Sequence, residues 1–343
     1  MKPDPINVIV AGVPRSIQKS RADGRWLTPQ HEKQITAVSA RISLVHTTEN
    51  ELLNGTCPPG NAHVLLVEAS GDQPYQNEIS APNMAKLVTP ELAWVQSCSS
   101  GVGHILDLGL IHPEIRLTNA AGVHANALAE SILAAILFHA KQLRQRIHNQ
   151  KNKKWLELHC TELTGQTLLI IGTGAIGCET ARLARAFNLH ITGIRRTQKP
   201  ARYFDEIYPI NELSKALEQA NYIVIACPLT PETQGMIAAP QFSRMKPNAY
   251  LINIARGKII DEEALLKAVT SQQISGAFLD ALSQEPLPGD HPLWQTAGIT
   301  IIPHDSHSSP LIGDNIINLF CENLHRFVES KPLINLVDRS RGY

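Results

Sequence analysis

Short apolar runs separated by polar stretches mark most of the chain. Residues 7–11 and 63–67, apolar after Asn7 and His63, have strand length and the pattern of strands buried on both faces of a parallel sheet. Trp94, Val95 and Gln96 form a third candidate strand, and residues 29–42 predict a helix. From Ala125 the spacing changes. Ala127, Leu128, Ser131, Ile132, Ala135, Ile136 and His139 recur at helical intervals, predicting a long Ala-rich helix that reaches Lys141 and beyond. Its small residues suit close packing, in a core or against a second subunit.

From Leu163 onward the alternation is strict. Strands are predicted at 167–171, 190–194, 222–226, 250–254, 276–280 and 299–302, with a helix over 175–187. Strands separated by helical stretches imply βαβ units and a parallel sheet. In the tail, Ile312, Ile316, Leu319, Phe320, Leu324 and Phe327 outline an amphipathic helix. The fold class is therefore α/β, and a length of 343 residues is enough for two domains.

Composition narrows the functional classes. The 31 Lys and Arg balance 31 Asp and Glu, which argues against a nucleic-acid binder and against a polybasic membrane-surface protein. Cys57, Cys98, Cys160, Cys178, Cys227 and Cys321 contain no C-x-x-C pair, so they read as small buried apolar residues, not as a zinc site or redox dithiol. The stretch 1–6 lacks the apolar region of a signal peptide. The most apolar segment, 128–140, includes Glu130 and Ser131 and is too short to span a bilayer. A soluble, cytoplasmic protein is expected.

Gly172, Gly174 and Gly177, with Ala175 and Ile176 between them, form a G-x-G-x-x-G turn directly after an apolar strand and at the start of a helix. That context is the dinucleotide fingerprint: a tight turn, close backbone approach to a pyrophosphate, and tight helix–sheet packing. A glycine turn without a ligand is the alternative. After the next strand, where an NAD site usually carries an acid, stand Arg195, Arg196 and Thr197. Guanidinium groups bind a 2′-phosphate that a carboxylate would repel, so NADP(H) is preferred, with NAD(H) allowed. The other reading of the two arginines is a solvated surface run.

The order of motifs from about Leu92 to Pro310 resembles the D-isomer-specific 2-hydroxyacid dehydrogenase family. The motifs are Ser100-Gly101-Val102, residues 119–124, residues 227–233, residues 253–257, residues 276–280, residues 284–288 and Pro303-His304. The resemblance implies that Arg256 holds the substrate carboxylate and carbonyl oxygen, that His304 is the general acid/base, and that Glu285 pairs with that histidine. It further implies that Ser100, Gly101 and Val102 receive the carboxylate through backbone N–H groups. Cys227, Pro228, Thr233, Ile254, Ala255 and Asp280 would line the cofactor, Asp280 at the carboxamide. No metal is implied. His307, three residues past His304, is a competing candidate. Two departures stand out: Gly103 where the family often has Asp, and the polar run Asp305-Ser306-His307.

Two α/β domains, Rossmann-like or flavodoxin-like, are expected on either side of a cleft. They would be a dinucleotide-binding domain at 104–304 and a substrate domain at 1–103 plus 305–343. The Ala-rich helix resembles the family's dimer-forming region, so a homodimer is expected. The activity implied is reduction of a small 2-oxo acid such as glyoxylate or hydroxypyruvate. Oxidation of a D-2-hydroxy acid with NAD, or a nucleotide-sensing scaffold without catalysis, are the alternatives. The first ninety residues match only in general pattern, so substrate identity is not read from them.

Overall fold

The computed structural model describes residues 4–14, 17, 26–56, 61–69, 78–197, 199–340 and 342. Cys57 and residues 1–3 of the N-terminal stretch lie outside them. The chain forms two compact units, Met1–Val123 with Ser308–Tyr343, and His124–His307.

The first unit holds strands β1 (Ile6–Ala11), β2 (Ile42–Thr47), β3 (Val64–Val67), β4 (Trp94–Ser97) and β5 (Arg116–Thr118), all parallel, in the order β2-β1-β3-β4-β5. This is the flavodoxin-like order. Side chains alternate across the sheet. Ile9, Leu65 and Val95 feed one core; Val8, Val10, Leu66 and Trp94 feed the other. The tail helix Ile312–Val328 covers the second face, with Ile316, Phe320 and Leu324 buried, as its periodicity predicts. The Trp94 ring stacks on Phe320 at 5.3 Å and on Phe327 at 5.6 Å. Several polar atoms in this core are paired in a chain. Trp94 Nε1 donates to Thr118 Oγ1 (2.7 Å), and that hydroxyl donates to Gln96 Oε1 (2.8 Å). Asn323 Nδ2 donates to the same Gln96 oxygen (3.2 Å), while Asn323 Oδ1 accepts the Ile334 N–H (2.7 Å). Asn323 thereby ties the helix, the sheet and the C-terminal segment together.

The second unit holds β6 (Thr167–Ile171), β7 (His190–Arg195), β8 (Glu206–Pro209), β9 (Tyr222–Ile225), β10 (Tyr250–Asn253), β11 (Gly276–Leu279) and β12 (Ile299–Ile301). They are parallel, in the order β12-β11-β10-β9-β6-β7-β8. The chain builds outward from β6 on one side, then returns to build from β9 on the other, the doubly wound arrangement of a dinucleotide fold. The helix Ala125–Ala140 covers one face, packing Ile132 and Ile136 against a core that includes Leu168, Ile170, Val224 and Ile252.

Several expectations need correction. The helix placed at 29–42 is Pro29–Ala37, started by a Thr28 cap, and β2 begins at Ile42. The Ala-rich helix ends at Ala140; Gln142 adopts a left-handed backbone (φ 49°) and a second helix, Leu143–Lys151, follows. The seams between units fall after Val123 and His307, not after Gly103 and His304. The first seam moves because β5 pairs with β4 and keeps the chain in the first sheet beyond residue 103. Of the cysteines read as buried, Cys98 and Cys321 are; Cys160 is exposed, and Cys178 and Cys227 are half-buried. Among the described residues no helix is long and apolar enough to cross a membrane.

The Asn323 node sets a stability prediction. Asn323→Ala leaves the Ile334 N–H without its acceptor and removes one of the two donors to Gln96 Oε1. It should cost about 2–3 kcal/mol in urea denaturation.

Candidate active site

In the second unit the strands are parallel, so their following segments all emerge at the carboxyl edge of the sheet, and the candidate residues are on those segments. The sheet order reverses between β6 and β9, and there the backbones nearly touch. Gly172 has φ +106°, and a Cβ built on it would stand 2.6 Å from the Ala226 carbonyl oxygen and 2.7 Å from the Cys227 nitrogen. At Gly177 a Cβ would meet the Gly172 oxygen at 2.1 Å. Gly174 differs: a Cβ there would meet nothing within 4 Å. It is also the N-cap of the helix Ala175–Ala184 and makes no side-chain cap bond. Ala175 and Ile176 open that helix. The turn thus offers open space before an uncapped helix N-terminus with its positive dipole end, the features a pyrophosphate needs. These residues fit a dinucleotide.

Arg195 ends β7, and Arg196 and Thr197 follow it, exposed. Arg195 Nη1 donates to the Lys199 carbonyl at 3.4 Å. Neither arginine makes an ion pair among the described residues. The Glu232 carboxyl is held below its ordinary range by hydrogen bonds from Thr230 and its own N–H, with Arg196 adding a charge contribution. After β9, burial pushes the Cys227 thiol up to about 11, which keeps it un-ionised. Thr233 Oγ1 donates to the Pro228 carbonyl (2.7 Å) and accepts the Thr230 N–H (2.8 Å). Thr233 therefore staples this loop internally.

Asn253, the last residue of β10, is fully buried and shapes the turn that follows. Its Oδ1 accepts the Ala255 N–H (3.1 Å), and its Nδ2 donates to the Arg256 carbonyl (3.0 Å). Ile254 and Ala255 are buried, while Arg256 is exposed. The Arg256 guanidinium donates to the Ala255 carbonyl (2.7 Å) and has no carboxylate partner among the described residues.

The Glu285 and His304 side chains meet. His304 Nδ1 lies 2.8 Å from Glu285 Oε2, and Glu285 Oε1 accepts the Leu282 N–H at 2.9 Å. Burial alone would raise the Glu285 carboxyl. The hydrogen bonds from His304 and Leu282, with the charges of His304 and Arg256, outweigh burial and hold it below its ordinary range. The carboxylate is therefore ionised at neutral pH. With Nδ1 engaged, Nε2 is the ring nitrogen left to act. His304 has φ +54°, a left-handed backbone that costs a non-glycine residue about 1 kcal/mol.

Asp280, after β11, is 3% exposed and accepts the Ser306 N–H at 3.1 Å. Burial raises its carboxyl, partly offset by Ser306 and by the neighbouring His304 and His307. The competing candidate His307 has no carboxylate hydrogen bond among the described residues. Its ring instead meets His304 edge-on at 6.5 Å and His124 at 5.2 Å. Burial, then His307, pushes His124 down to about 4. Asn253 and His124 stood in the sequence only as members of motifs and Ser306 only as part of a polar run, none with a role assigned. An Asn ending a strand before a turn was a readable signal for the first. The other two act through neighbours that are distant in sequence.

In the first unit, the Ser100–Val102 loop follows β4. Ser100 Oγ donates to the Ala120 carbonyl (3.1 Å), Asn119 Nδ2 donates to the Ser100 carbonyl (3.0 Å), and Val102 is buried. Gly103 is the first residue of the short helix Gly103–Asp107.

Residues 133–306 match the NAD binding domain of the D-isomer specific 2-hydroxyacid dehydrogenases. The chain is 32% identical to the glyoxylate reductase of Korarchaeum cryptofilum, over 66% of this chain and 70% of that one. It is 33% identical to the glyoxylate reductase/hydroxypyruvate reductase of Mus musculus, over 61% of this chain and 66% of that one. A D-isomer specific 2-hydroxyacid dehydrogenase family protein from Aeromonas salmonicida superposes with a TM-score of 0.80. The two chains are 29% identical, covering 98% of this chain and all of that one.

The His124 environment sets an acid limit on stability. An imidazole held near 4 when folded, against 6.5 ordinarily, binds its proton more readily in the unfolded chain. Its contribution is present above pH 6.5 and is lost as pH falls toward 4, up to about 3 kcal/mol. In denaturation followed from pH 7 to 4, His124→Phe should lose stability less steeply than the parent.

Proposed function

Because the chain belongs to the D-isomer specific 2-hydroxyacid dehydrogenase family, and is thus an NAD(P)-dependent oxidoreductase of the CH–OH group, we propose that it reduces small 2-oxo acids of the glyoxylate or hydroxypyruvate type with NADPH. The observation that carries the reading is the 2.8 Å contact between His304 Nδ1 and Glu285 Oε2, in the same unit as the unpaired Arg256.

The roles follow from the chemistry. The Arg256 guanidinium makes no ion pair among the described residues, so it is available to a substrate carboxylate and to the carbonyl oxygen on which charge develops. Protonated His304 donates from Nε2 to that oxygen, and in the reverse direction accepts the hydroxyl proton there. Glu285 orients the ring and stabilises its charged form. The Ser100, Gly101 and Val102 loop supplies backbone N–H groups to the substrate. A bound nicotinamide supplies the hydride. Gly172, Gly174, Ala175, Ile176 and Gly177 hold its pyrophosphate, and Cys227, Pro228, Thr233, Ile254, Ala255 and Asp280 line its path. Arg195, Arg196 and Thr197 receive the 2′-phosphate, for which NADP(H) is preferred over NAD(H).

A cytoplasmic homodimer completes the proposal. The segment after the Ala-rich helix supports it: Ile147 is 46%, Leu156 58% and Trp155 99% exposed. Large apolar side chains left exposed at nearby positions of the chain are natural contacts for a partner.

Purified protein should oxidise NADPH faster than NADH at equal concentration, with glyoxylate or hydroxypyruvate as acceptor. A clear NADH preference would overturn the arginine assignment. Arg195→Asp should weaken NADPH binding more than NADH binding, as read by titration of cofactor fluorescence. His304→Ala should lower kcat by about 10²–10⁴-fold while leaving cofactor affinity near that of the parent. Unchanged turnover would remove His304 from its role.

A further inference from the structure

We propose that Glu262 is a positioning residue that, through Ser283, holds the Glu285–His304 pair in its working geometry. The proposal rests on His304 being the proton donor and extends that reading to a side chain outside the site. Glu262 opens the helix Glu262–Thr270, on the segment that emerges from β10 after Arg256. Its carboxylate grips one residue twice: Oε1 accepts the Ser283 N–H at 2.6 Å and Oε2 accepts the Ser283 hydroxyl at 2.6 Å. Ser283 lies on the segment that emerges from β11, between Leu282, whose N–H binds Glu285, and Glu285 itself. The hydrogen bonds therefore run in series from Glu262 to Ser283, along the chain to Leu282 and Glu285, and on to His304.

Two further facts give the clamp its purpose. The segments it joins already lie backbone to backbone, since a Cβ on Gly257 would stand 1.9 Å from the Leu282 carbonyl carbon and 2.2 Å from the Ser283 nitrogen. The clamp thus fixes the sliding of one segment along the other, and with it the offset between Arg256 and Glu285. Glu262 is also not needed to cap its own helix, because Asp261 Oδ1 already accepts the Ala264 N–H at 3.0 Å. Leu282 is anchored in the core, but Ser283, Gln284 and Glu285 after it are exposed, and an exposed stretch of loop moves unless hydrogen bonds hold it.

The groups facing His304 are Glu285, Asp280 and His307, with Arg256 acting on Glu285. Releasing the clamp leaves these in place and loosens only the Glu285 contact. A carboxylate at hydrogen-bond distance favours the protonated imidazole. The His304 ring should therefore give up its proton at lower pH in Glu262→Ala than in the parent.

The test is an NMR titration of the His304 ring in the full-length protein, its resonance assigned by loss in His304→Gln. It is paired with the pH dependence of kcat/KM for glyoxylate reduction with NADPH. Glu262→Ala should raise the acid dissociation constant of His304 by about threefold or more and move the basic limb of the profile down by the same amount. Glu262→Gln, which keeps an acceptor for Ser283 but no charge, should stay close to the parent. An unmoved titration in Glu262→Ala overturns the proposal. So does an equal shift in both variants, which would make lost charge the cause. Should Glu262→Ala not fold, Ser283→Ala removes only the hydroxyl arm; a smaller shift in the same direction supports the clamp, and none overturns it. The wider reading fails separately, by absence of turnover in the parent enzyme, whereas the ring titration reports on the clamp without any substrate.

Discussion

The parallel hydrogen-bond ladder of the second sheet is the constraint from which the site follows. Parallel strands cannot be joined by tight turns, so each connection crosses a face of the sheet, and every strand runs out at the same edge. Residues separated widely in sequence are thereby delivered to one side: the glycine turn after β6, the arginines after β7, Cys227 and Pro228 after β9, Arg256 after β10, Glu285 after β11 and His304 after β12. The reversal of strand order between β6 and β9 adds the closest approach. Gly172 lies against Ala226 and Cys227 with no room for a side chain. That contact fixes where the helix Ala175–Ala184 starts, and so where its dipole points.

Electrostatics then distinguish the site from the rest of the surface. The chain has no net charge, and many of its other arginines are matched locally, as Arg182 is by Glu179 and Arg185 by Asp205. Arg195, Arg196 and Arg256 depart from that habit, with no carboxylate partner among the described residues. An unpaired guanidinium at a sheet edge is a standing preference for a small anion. At this edge the Glu285 carboxylate, in contact with His304, is kept ionised by hydrogen bonds and nearby positive charge that outweigh burial. Local donors and not global charge set the chemistry.

Central strands were readable because both faces are buried. Val64–Val67, Thr167–Ile171 and Tyr222–Ile225 are nearly continuous apolar runs. Of the edge strands β12 was readable, but β2, β5 and β8 were not. β2 is mostly half-exposed, β8 has a single buried residue, and β5 spans only Arg116–Thr118, so none carries a run long enough to stand out. Missing β5 is also why the expected boundary at residue 103 fell short of Val123.

The sequence by itself determined the α/β class, the βαβ order of the second unit, the glycine turn and the identity of the charged residues beyond each strand. These are local properties: periodicity, turn chemistry, and motifs a few residues long. Apart from the Glu285–His304 pair, which the family resemblance implied, only the tertiary structure decided which side chains meet. Glu285 reaches His304 across 19 positions and Glu262 reaches Ser283 across 21, while His124 lies against His307 from the far end of the unit. Such pairings depend on strand order and on the offset between neighbouring segments. No local pattern encodes either, because both are settled only when the sheet closes its ladder and the cores on its two faces are filled.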